Sequence, residues 1–170
     1  MSYTVGSKVI YPAHGTAEIV AKTTRVFDGE EVAYLQLVVP ERGFGTSGDM
    51  TVLVPEAKAS ELGVRDAISP EEADEVLAVL AVTSVRVPTN WSRRFKNHQE
   101  KLKSGDVYEC AEVVRNLTRR EQSGSLSTAE KSMQARARHI LISELAVSWN
   151  VDPEAAEARI DDVLAASAEA

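Results

Sequence analysis

The sequence Ser-Pro-Glu-Glu-Ala-Asp-Glu-Val-Leu-Ala-Val-Leu-Ala at residues 69–81 divides the chain into two parts with different secondary structure. Ser69 can accept a hydrogen bond at a helix N-terminus, Pro70 suits the first helical position, and Glu72 completes a capping box. The apolar residues that follow recur at helical spacing: Ala73, Val76, Leu77 and Leu80. We therefore predict a helix that runs to about residue 81.

The residues before this helix have the pattern of short β-strands separated by turns. Runs rich in β-branched and aromatic side chains occupy residues 5–11, 16–27, 32–39 and 50–54. Asp28-Gly29 predicts a tight hairpin turn, because glycine accepts a positive φ. Residues 40–48 contain three glycines and are predicted to form an extended hairpin loop. The pattern indicates a small antiparallel barrel or a strongly bent sheet.

The residues after this helix carry four more helix start signals with short connections between the helices. The second, third and fourth helices are predicted to end near residues 103, 122 and 149, and a final helix follows. The candidate N-terminal caps are Thr89 or Asn90, Asp106, Ser127 and Asp152. The predicted fold class is α+β, with a small antiparallel β module at residues 1–58 and an all-helical bundle at residues 59–170.

The 170-residue chain has a formal net charge of -7, and its charges are unevenly distributed. Residues 86–139 contain 12 Lys and Arg against 6 Asp and Glu, whereas the segments on both sides are acidic. A basic middle of this kind indicates a surface for an anionic partner, although the acidic total argues against a protein that seeks DNA alone. The single cysteine excludes an internal disulfide. With no membrane-length apolar run and no signal peptide visible, a cytoplasmic protein is expected.

The sequence contains no arrangement of residues that is typical of an enzyme. His14, His98 and His139 lie in three separate elements, and no cysteine or histidine pair has zinc-ligand spacing. Cys110 lies between apolar helical positions and is expected to be a core residue. The glycine-rich residues 43–48 do not lead into a helix, as a phosphate-binding loop would. We therefore expect no catalytic site, no metal and no cofactor.

The sequence Pro-Thr-Asn-Trp-Ser-Arg-Arg-Phe-Lys at residues 88–96 lies in the basic segment and combines aromatic and cationic residues. Trp91 falls in the first turn of the second helix with Phe95 on the same face, and Arg93, Arg94 and Lys96 flank it. Such a group can bind DNA phosphates and stack an aromatic ring on an exposed base. Alternatively, Trp91 packs in the bundle core and the cations are solvated. The next two helices also present cations: Arg115, Arg119, Arg120, Lys131, Arg136 and Arg138.

A series of motifs, in order over nearly the whole chain, resembles the CarD/CdnL family of bacterial transcription regulators. The motifs are Val5-Gly6, Val9-Ile10-Tyr11-Pro12-Ala13-His14-Gly15, Thr51-Val52-Leu53-Val54-Pro55, Gly63-Val64-Arg65, residues 88–96, Leu102-Lys103-Ser104-Gly105-Asp106 and Leu126-Ser127-Thr128-Ala129-Glu130-Lys131. The resemblance implies a Tudor-like N-terminal domain that binds the RNA polymerase β subunit. It also implies a helical domain that wedges a tryptophan into the DNA minor groove at the upstream edge of the transcription bubble.

The resemblance assigns roles to individual residues. Trp91 matches the wedge, Lys96 matches a DNA-contacting cation, and Arg25 matches a polymerase-contacting arginine. The family usually has an arginine where this chain has Leu53, and residues 41–48 look like an insertion beside it, so the polymerase contact is expected to differ. The residues predicted to contact DNA are Trp91, Arg93, Arg94, Lys96, Arg119, Arg120 and Lys131.

Together these observations predict a monomeric regulator that stabilises the promoter open complex. It is expected to bind the RNA polymerase β subunit through Arg25 and Leu53, to contact promoter DNA at the upstream fork of the bubble, and to have no membrane partner. Its association with the nucleoid is expected to depend on polymerase. The alternative function is a protein-interaction scaffold that has a Tudor-like module and no direct DNA contact.

Overall fold

A computed structural model describes residues 3–43 and 46–168, which form a four-stranded sheet followed by five α-helices. The strands are β1 (Lys8–Tyr11), β2 (Gly15–Phe27), β3 (Glu30–Gly43) and β4 (Thr46–Pro55), with a short 3-10 helix over Glu56–Lys58. The helices are α1 (Pro70–Ala81), α2 (Trp91–Lys103), α3 (Val107–Ser123), α4 (Thr128–Trp149) and α5 (Pro153–Ala168). All strand pairs are antiparallel in the order β1-β2-β3-β4. The predicted α+β class, a Tudor-like β module followed by helices, is confirmed.

The long β2–β3 hairpin is closed by the predicted two-residue turn. Asp28 and Gly29 have φ values of 54° and 82°, and two consecutive positive φ angles are what a tight hairpin of this hand requires. A β-bulge between Ile19 and Ala21 shifts the register between β2 and β3, and bulges of this kind bend the strand. The inner face of the sheet carries its own core, in which residues such as Ile19 and Leu35 are fully buried.

The glycine-rich hairpin between β3 and β4 is paired further than the sequence predicts. A loop was expected over residues 40–48, but the ladder continues from the Pro40–Asp49 pair to the Gly43–Thr46 pair. That prediction is wrong because β4 is an edge strand, where continued backbone hydrogen bonding offsets the low strand propensity of glycine. Residues 44 and 45 and the side chains of residues 41–47 lie outside the described part of the chain, so the insertion stays a prediction.

The helix starts are confirmed at the predicted capping residues. Ser69 and Ser127 each form a complete capping box, and Asn90 and Asp106 cap α2 and α3 with their side-chain oxygens. In front of α5, Asp152 Oδ1 accepts a hydrogen bond from a backbone N–H at 2.8 Å. Each of these caps satisfies a backbone donor that would otherwise lack an intrahelical partner. The predicted helix boundaries therefore follow directly from local chemistry.

The centre of the helical core lies between α3 and α4. Leu117 on α3 and Leu141 and Leu145 on α4 are fully buried, and α1, α2 and α5 pack around them. Cys110 is buried in the same cluster, and burial raises the pKa of its thiol to about 12. The thiol is therefore protonated at neutral pH, which fits the predicted core role and not a nucleophile.

The sheet lies against the middle of α4 through a close backbone approach at Gly15. A Cβ atom at Gly15 would lie 2.7 Å from Ser143 Oγ and 3.3 Å from Ile140 Cα, and Gly15 has a φ of 87°. The backbone N–H of Thr16 donates to Ser143 Oγ at 3.2 Å. Both the backbone conformation and the space available therefore require glycine at this junction.

A buried carboxylate fixes the chain between the sheet and α1 to the same helix. Arg65 donates two hydrogen bonds to Glu144 on α4, at 2.7 and 2.9 Å, and the Ile68 N–H donates to the same carboxylate at 3.1 Å. Just before Arg65 in the chain, Ala59 and Val64 pack in the core of the sheet. Residues 59–65 thus contact both the core of the sheet and α4. The predicted domain division between residues 58 and 59 stays a prediction.

The second helix packs on the bundle through a narrow and mostly polar face. Its buried residues are Arg94, His98 and Leu102, each one turn from the next. Burial lowers the pKa of His98 to about 4, and the charge of Lys101 acts in the same direction. The buried imidazole is therefore neutral in the folded protein at neutral and mildly acidic pH.

The junction at Gly15 gives the first testable prediction. Gly15→Ala should lower the free energy of unfolding by about 2–4 kcal/mol, because it adds overpacking against α4 to the strain of a positive φ. Gly29→Ala is the matched control, since Gly29 has a φ of 82° but open space around its Cβ position. It should cost about 1–2 kcal/mol. Equal losses for the two variants in urea denaturation would show that the approach at Gly15 is not tight.

The second prediction concerns pH. The unfolded chain protonates His98 near pH 6.5 whereas the folded protein does so only near pH 4, so stability is present above pH 6.5 and is lost as the pH falls toward 4. His98→Gln should reduce the loss of stability between pH 7 and pH 5 by about 1–2 kcal/mol, as measured by urea denaturation at both values. An unchanged loss in the variant would contradict the assignment.

Candidate nucleic-acid interface

Trp91 is the first residue of α2 and lies on the surface of the protein. Its side chain is 43% exposed, and its ring stacks on Phe95 with 5.0 Å between centroids and an interplanar angle of 9°. Phe95 is itself packed against the helical core. The alternative that Trp91 is a core residue is therefore wrong, because Phe95 takes the inner position and leaves the indole outside.

The indole of Trp91 is held in one orientation by hydrogen bonds as well as by stacking. Its Nε1–H donates hydrogen bonds to Glu130 Oε1 and Ser127 Oγ, with nitrogen–oxygen distances of 3.1 and 3.2 Å. Both acceptors lie at the start of α4. A stacked and hydrogen-bonded ring loses little further freedom when it meets a partner. The structure thus presents an aromatic surface that is exposed and already ordered.

Glu130 connects the start of α2 to the start of α4. Its side chain is 1% exposed, and Oε2 accepts a hydrogen bond from Arg94 Nε at 3.1 Å. Burial raises the pKa of this carboxyl, but the hydrogen bond and charge of Arg94 and the hydrogen bonds at Ser127 outweigh that effect, so the pKa is lowered. Glu130 is therefore a carboxylate at neutral pH, and it is the acceptor that both Trp91 and Arg94 require.

Two of the arginines predicted to contact DNA are hydrogen-bonded within the protein. Arg94 is 2% exposed, and its Nη1 donates to the backbone oxygens of Pro88 and Thr89. Arg119 donates to the backbone oxygens of Leu80 and Val82 at the end of α1. The assignment of Arg94 to a DNA-contacting surface is corrected, because its buried side chain holds backbone segments in place instead of projecting into solvent. Arg119 is half-buried, and its DNA contact stays a prediction. The helical spacing of cations did not distinguish inward from outward positions.

The other predicted cations are exposed. Arg93 and Lys96 project from α2 and Lys131 from α4. The Arg120 side chain is 44% exposed, with its Nε 3.8 Å from Glu130 Oε2. The three helices that meet at Glu130 therefore each carry at least one exposed cation. We call this surface, formed by Trp91, Arg93, Lys96, Arg120 and Lys131, the tryptophan face.

Glu130 is the functional residue that sequence reasoning missed. Glu130 lies three residues after the candidate cap Ser127, and the structure shows that the two residues form a capping box. Capping alone already explains a glutamate at this position, so the sequence contains no separate signal for a second role. Its second role depends on residues 36 and 39 positions away in the chain, which no local pattern predicts.

The two residues predicted to contact polymerase lie on one face of the sheet. In the strand register Arg25 is opposite Val32 and Leu53 is opposite Gln36. Val32 and Gln36 are an even number of residues apart on β3, so all four side chains project from the same side. Both Arg25 and Leu53 are exposed, and this side is opposite to the buried Leu35 and Leu37. The structure therefore places the predicted pair on the same outer face, on two strands that flank β3 and four residues apart along it.

The described residues contain no group of three or more His, Cys, Asp or Glu placed to hold a metal ion. The three histidines expected in separate elements do lie apart: His14 follows β1, His98 is in α2 and His139 is in α4. None of the described helices is long and apolar enough to cross a membrane.

Known protein sequences are similar to most of this chain. The family described as CarD, C-terminal domain, matches residues 75–161, a region that includes the whole tryptophan face. The chain is also similar to the protein of Bacillus subtilis (strain 168) named "Putative transcription factor YdeB". The identity is 28% over 145 residues, which are 85% of this chain and 91% of that protein. With the family match covering half of its length, this chain belongs to the CarD family of transcription regulators.

Proposed function

We propose that this protein binds the RNA polymerase β subunit through the outer face of its sheet and stabilises the promoter open complex through the tryptophan face. In this proposal Trp91 wedges into the minor groove at the upstream edge of the transcription bubble. The observation that carries the proposal is the state of Trp91, which is 43% exposed and yet fixed by Phe95 and Glu130. A tryptophan held at the surface in this way is positioned for an external aromatic or apolar partner.

The expected energetic effect is moderate. Stacking of one aromatic side chain on a base contributes about 1–3 kcal/mol, which corresponds to about 5- to 150-fold in an equilibrium constant. A protein shifts an equilibrium only by binding one state more tightly than the other. The fork junction exists only after the bubble has formed, so a wedge at that junction favours the open state.

The charge distribution supports a mechanism in which polymerase brings this protein to promoter DNA. The net charge of -7 disfavours independent DNA binding, whereas the tryptophan face has four exposed cations. A polymerase contact at the sheet would raise the effective concentration of this face near the DNA. Contacts to phosphates without readout of base edges would then act at many promoters.

The division of labour between two domains is part of the proposal. Residues 1–58 supply the polymerase-binding module with Arg25 and Leu53, and residues 59–170 supply the DNA-contacting module. Leu53 replaces a cation with an apolar side chain that is 36% exposed. This part of the polymerase contact would therefore depend more on apolar burial than on charge.

A scaffold without DNA contact is the second candidate. The observation that favours it is the tip of the β2–β3 hairpin, where Val26 and Phe27 are 72% and 71% exposed. Exposed apolar side chains of this size suit a protein partner. The two candidates differ in what they predict for Trp91.

The third prediction tests the wedge. Trp91→Ala should shorten the lifetime of promoter open complexes by about 5- to 150-fold, the range expected for loss of one stacking contact. Trp91→Phe is the matched variant, since it keeps a smaller aromatic ring while it loses the Nε1 donor, and should retain most of the lifetime. Binding to polymerase should be equal for all three proteins. Equal lifetimes for wild type and Trp91→Ala would favour the scaffold.

The fourth prediction tests the polymerase contact. Arg25→Glu should weaken capture of the isolated polymerase β subunit by about tenfold, because loss of a charge-assisted contact costs about 1.5–3 kcal/mol. Lys58→Glu is the control, since it makes the same charge change at an exposed residue just beyond the sheet. If both variants bind like wild type, Arg25 has no special role in this interaction.

A further inference from the structure

A small cavity lies beside the tryptophan face, between the chain that follows α1, the start of α2 and the end of α3. Its volume is about 230 Å³. The polar residues that line it come from all three segments: Thr83, Thr89, Arg94, Asn116, Arg119, Arg120 and Ser123. Three of these seven are arginines, and no described carboxylate lines the cavity. Such a lining repels cations and favours an anion.

Arg94 supplies a donor that the protein itself does not use. Its Nε donates to Glu130 at 3.1 Å and its Nη1 donates to the backbone oxygens of Pro88 and Thr89. The remaining nitrogen, Nη2, is buried and has no hydrogen-bond partner among the described residues. A buried unpaired donor on a charged group is destabilising, and a ligand that accepts its hydrogen bond would remove that cost.

The remaining arginines make the cavity more positive than a single buried donor would. Arg119 is anchored by backbone oxygens and by Ser167 Oγ at 3.1 Å, and no described carboxylate forms an ion pair with it. Arg120 is at the exposed side, with its Nε 3.8 Å from Glu130 Oε2. Among the described residues, Glu130 is the one carboxylate that pairs with these three guanidinium groups, which leaves an excess of positive charge around the cavity.

We propose that this cavity is a binding site for a phosphate-type oxyanion, held by Arg94 Nη2 and Arg120 with Asn116 and Ser123 as further polar contacts. Guanidinium groups suit phosphate oxygens because they form charge-assisted hydrogen bonds in a fixed plane. A cavity of this volume has room for one phosphate group and a few waters. The site is proposed on the geometry of the free protein and does not depend on the proposed function in transcription.

Inorganic phosphate is the probe for the first experiment. The full-length protein is titrated with sodium phosphate at constant ionic strength, with sodium chloride as the reference, and binding is followed by calorimetry and thermal unfolding. At phosphate concentrations tenfold above the dissociation constant, the melting temperature should rise by about 3 °C. Arg120→Gln should weaken phosphate binding at least about tenfold, as expected when one charge-assisted contact is lost.

Two control variants make the result specific to the cavity. Arg93→Gln makes the same change in charge on an exposed arginine that does not line the cavity, and should bind phosphate like wild type. Ser123→Asp places a carboxylate at the cavity and should abolish binding, whereas Ser125→Asp, two residues further along the chain, should not. The proposal is overturned if wild type does not bind phosphate, or if Arg120→Gln and Arg93→Gln reduce binding equally.

A second arm distinguishes a DNA backbone phosphate from a free phosphate compound as the occupant. Forked promoter DNA is titrated into the complex of protein and polymerase with and without saturating phosphate. Competition identifies a backbone phosphate as the occupant of the site, and independent binding identifies a small phosphate compound. The first arm uses the protein alone, so a failure of the DNA-contact proposal leaves the result for the cavity unaffected.

Discussion

The buried contact between Glu130 and Arg94 is the interaction on which the functional surface depends. α2 has a narrow buried face of only three residues, and one of them is a charged arginine. An arginine that is 2% exposed needs an opposite charge beside it, and two of the three guanidinium nitrogens of Arg94 are hydrogen-bonded within the protein. Glu130 supplies that pairing and, with its other oxygen, accepts the indole N–H of Trp91. One carboxylate therefore holds the helix in place and sets the orientation of its exposed tryptophan.

This arrangement explains why the segment is both basic and ordered. A surface built only from cations would repel itself, and its long side chains would be mobile. Here the arginines are divided by function: the buried Arg94 and the half-buried Arg119 bind a carboxylate and backbone oxygens of the protein, while Arg93 and Arg120 remain exposed. The buried arginines shape the surface, and the exposed ones supply its charge. The net charge of the whole chain does not reveal the basic segment, because acidic segments precede and follow it.

Local chemistry made most of the fold predictable, and long-range contacts account for what was missed. The caps at Ser69, Asn90 and Ser127 and the turn at Asp28-Gly29 depend on near neighbours, so the sequence predicted them correctly. The hydrogen-bond partners of Arg94 and Arg119 lie up to 48 residues away along the chain. Helical spacing alone could therefore not predict that these side chains bind groups within the protein. The strand pairing from the Pro40–Asp49 pair to the Gly43–Thr46 pair was not predicted for a related reason. It depends on backbone hydrogen bonds between the two strands and not on the strand propensity of the glycine-rich residues.

The central claim is that Trp91 touches a base at the upstream edge of the open bubble. The most direct measurement replaces that base with 2-aminopurine and compares its fluorescence in open complexes formed with wild-type protein and with Trp91→Ala. Stacking on an aromatic ring quenches this base, so the account predicts weaker fluorescence with wild type, and a Trp149→Phe protein should behave like wild type. Equal fluorescence with wild type and Trp91→Ala would contradict direct contact and remove the tryptophan face from the mechanism.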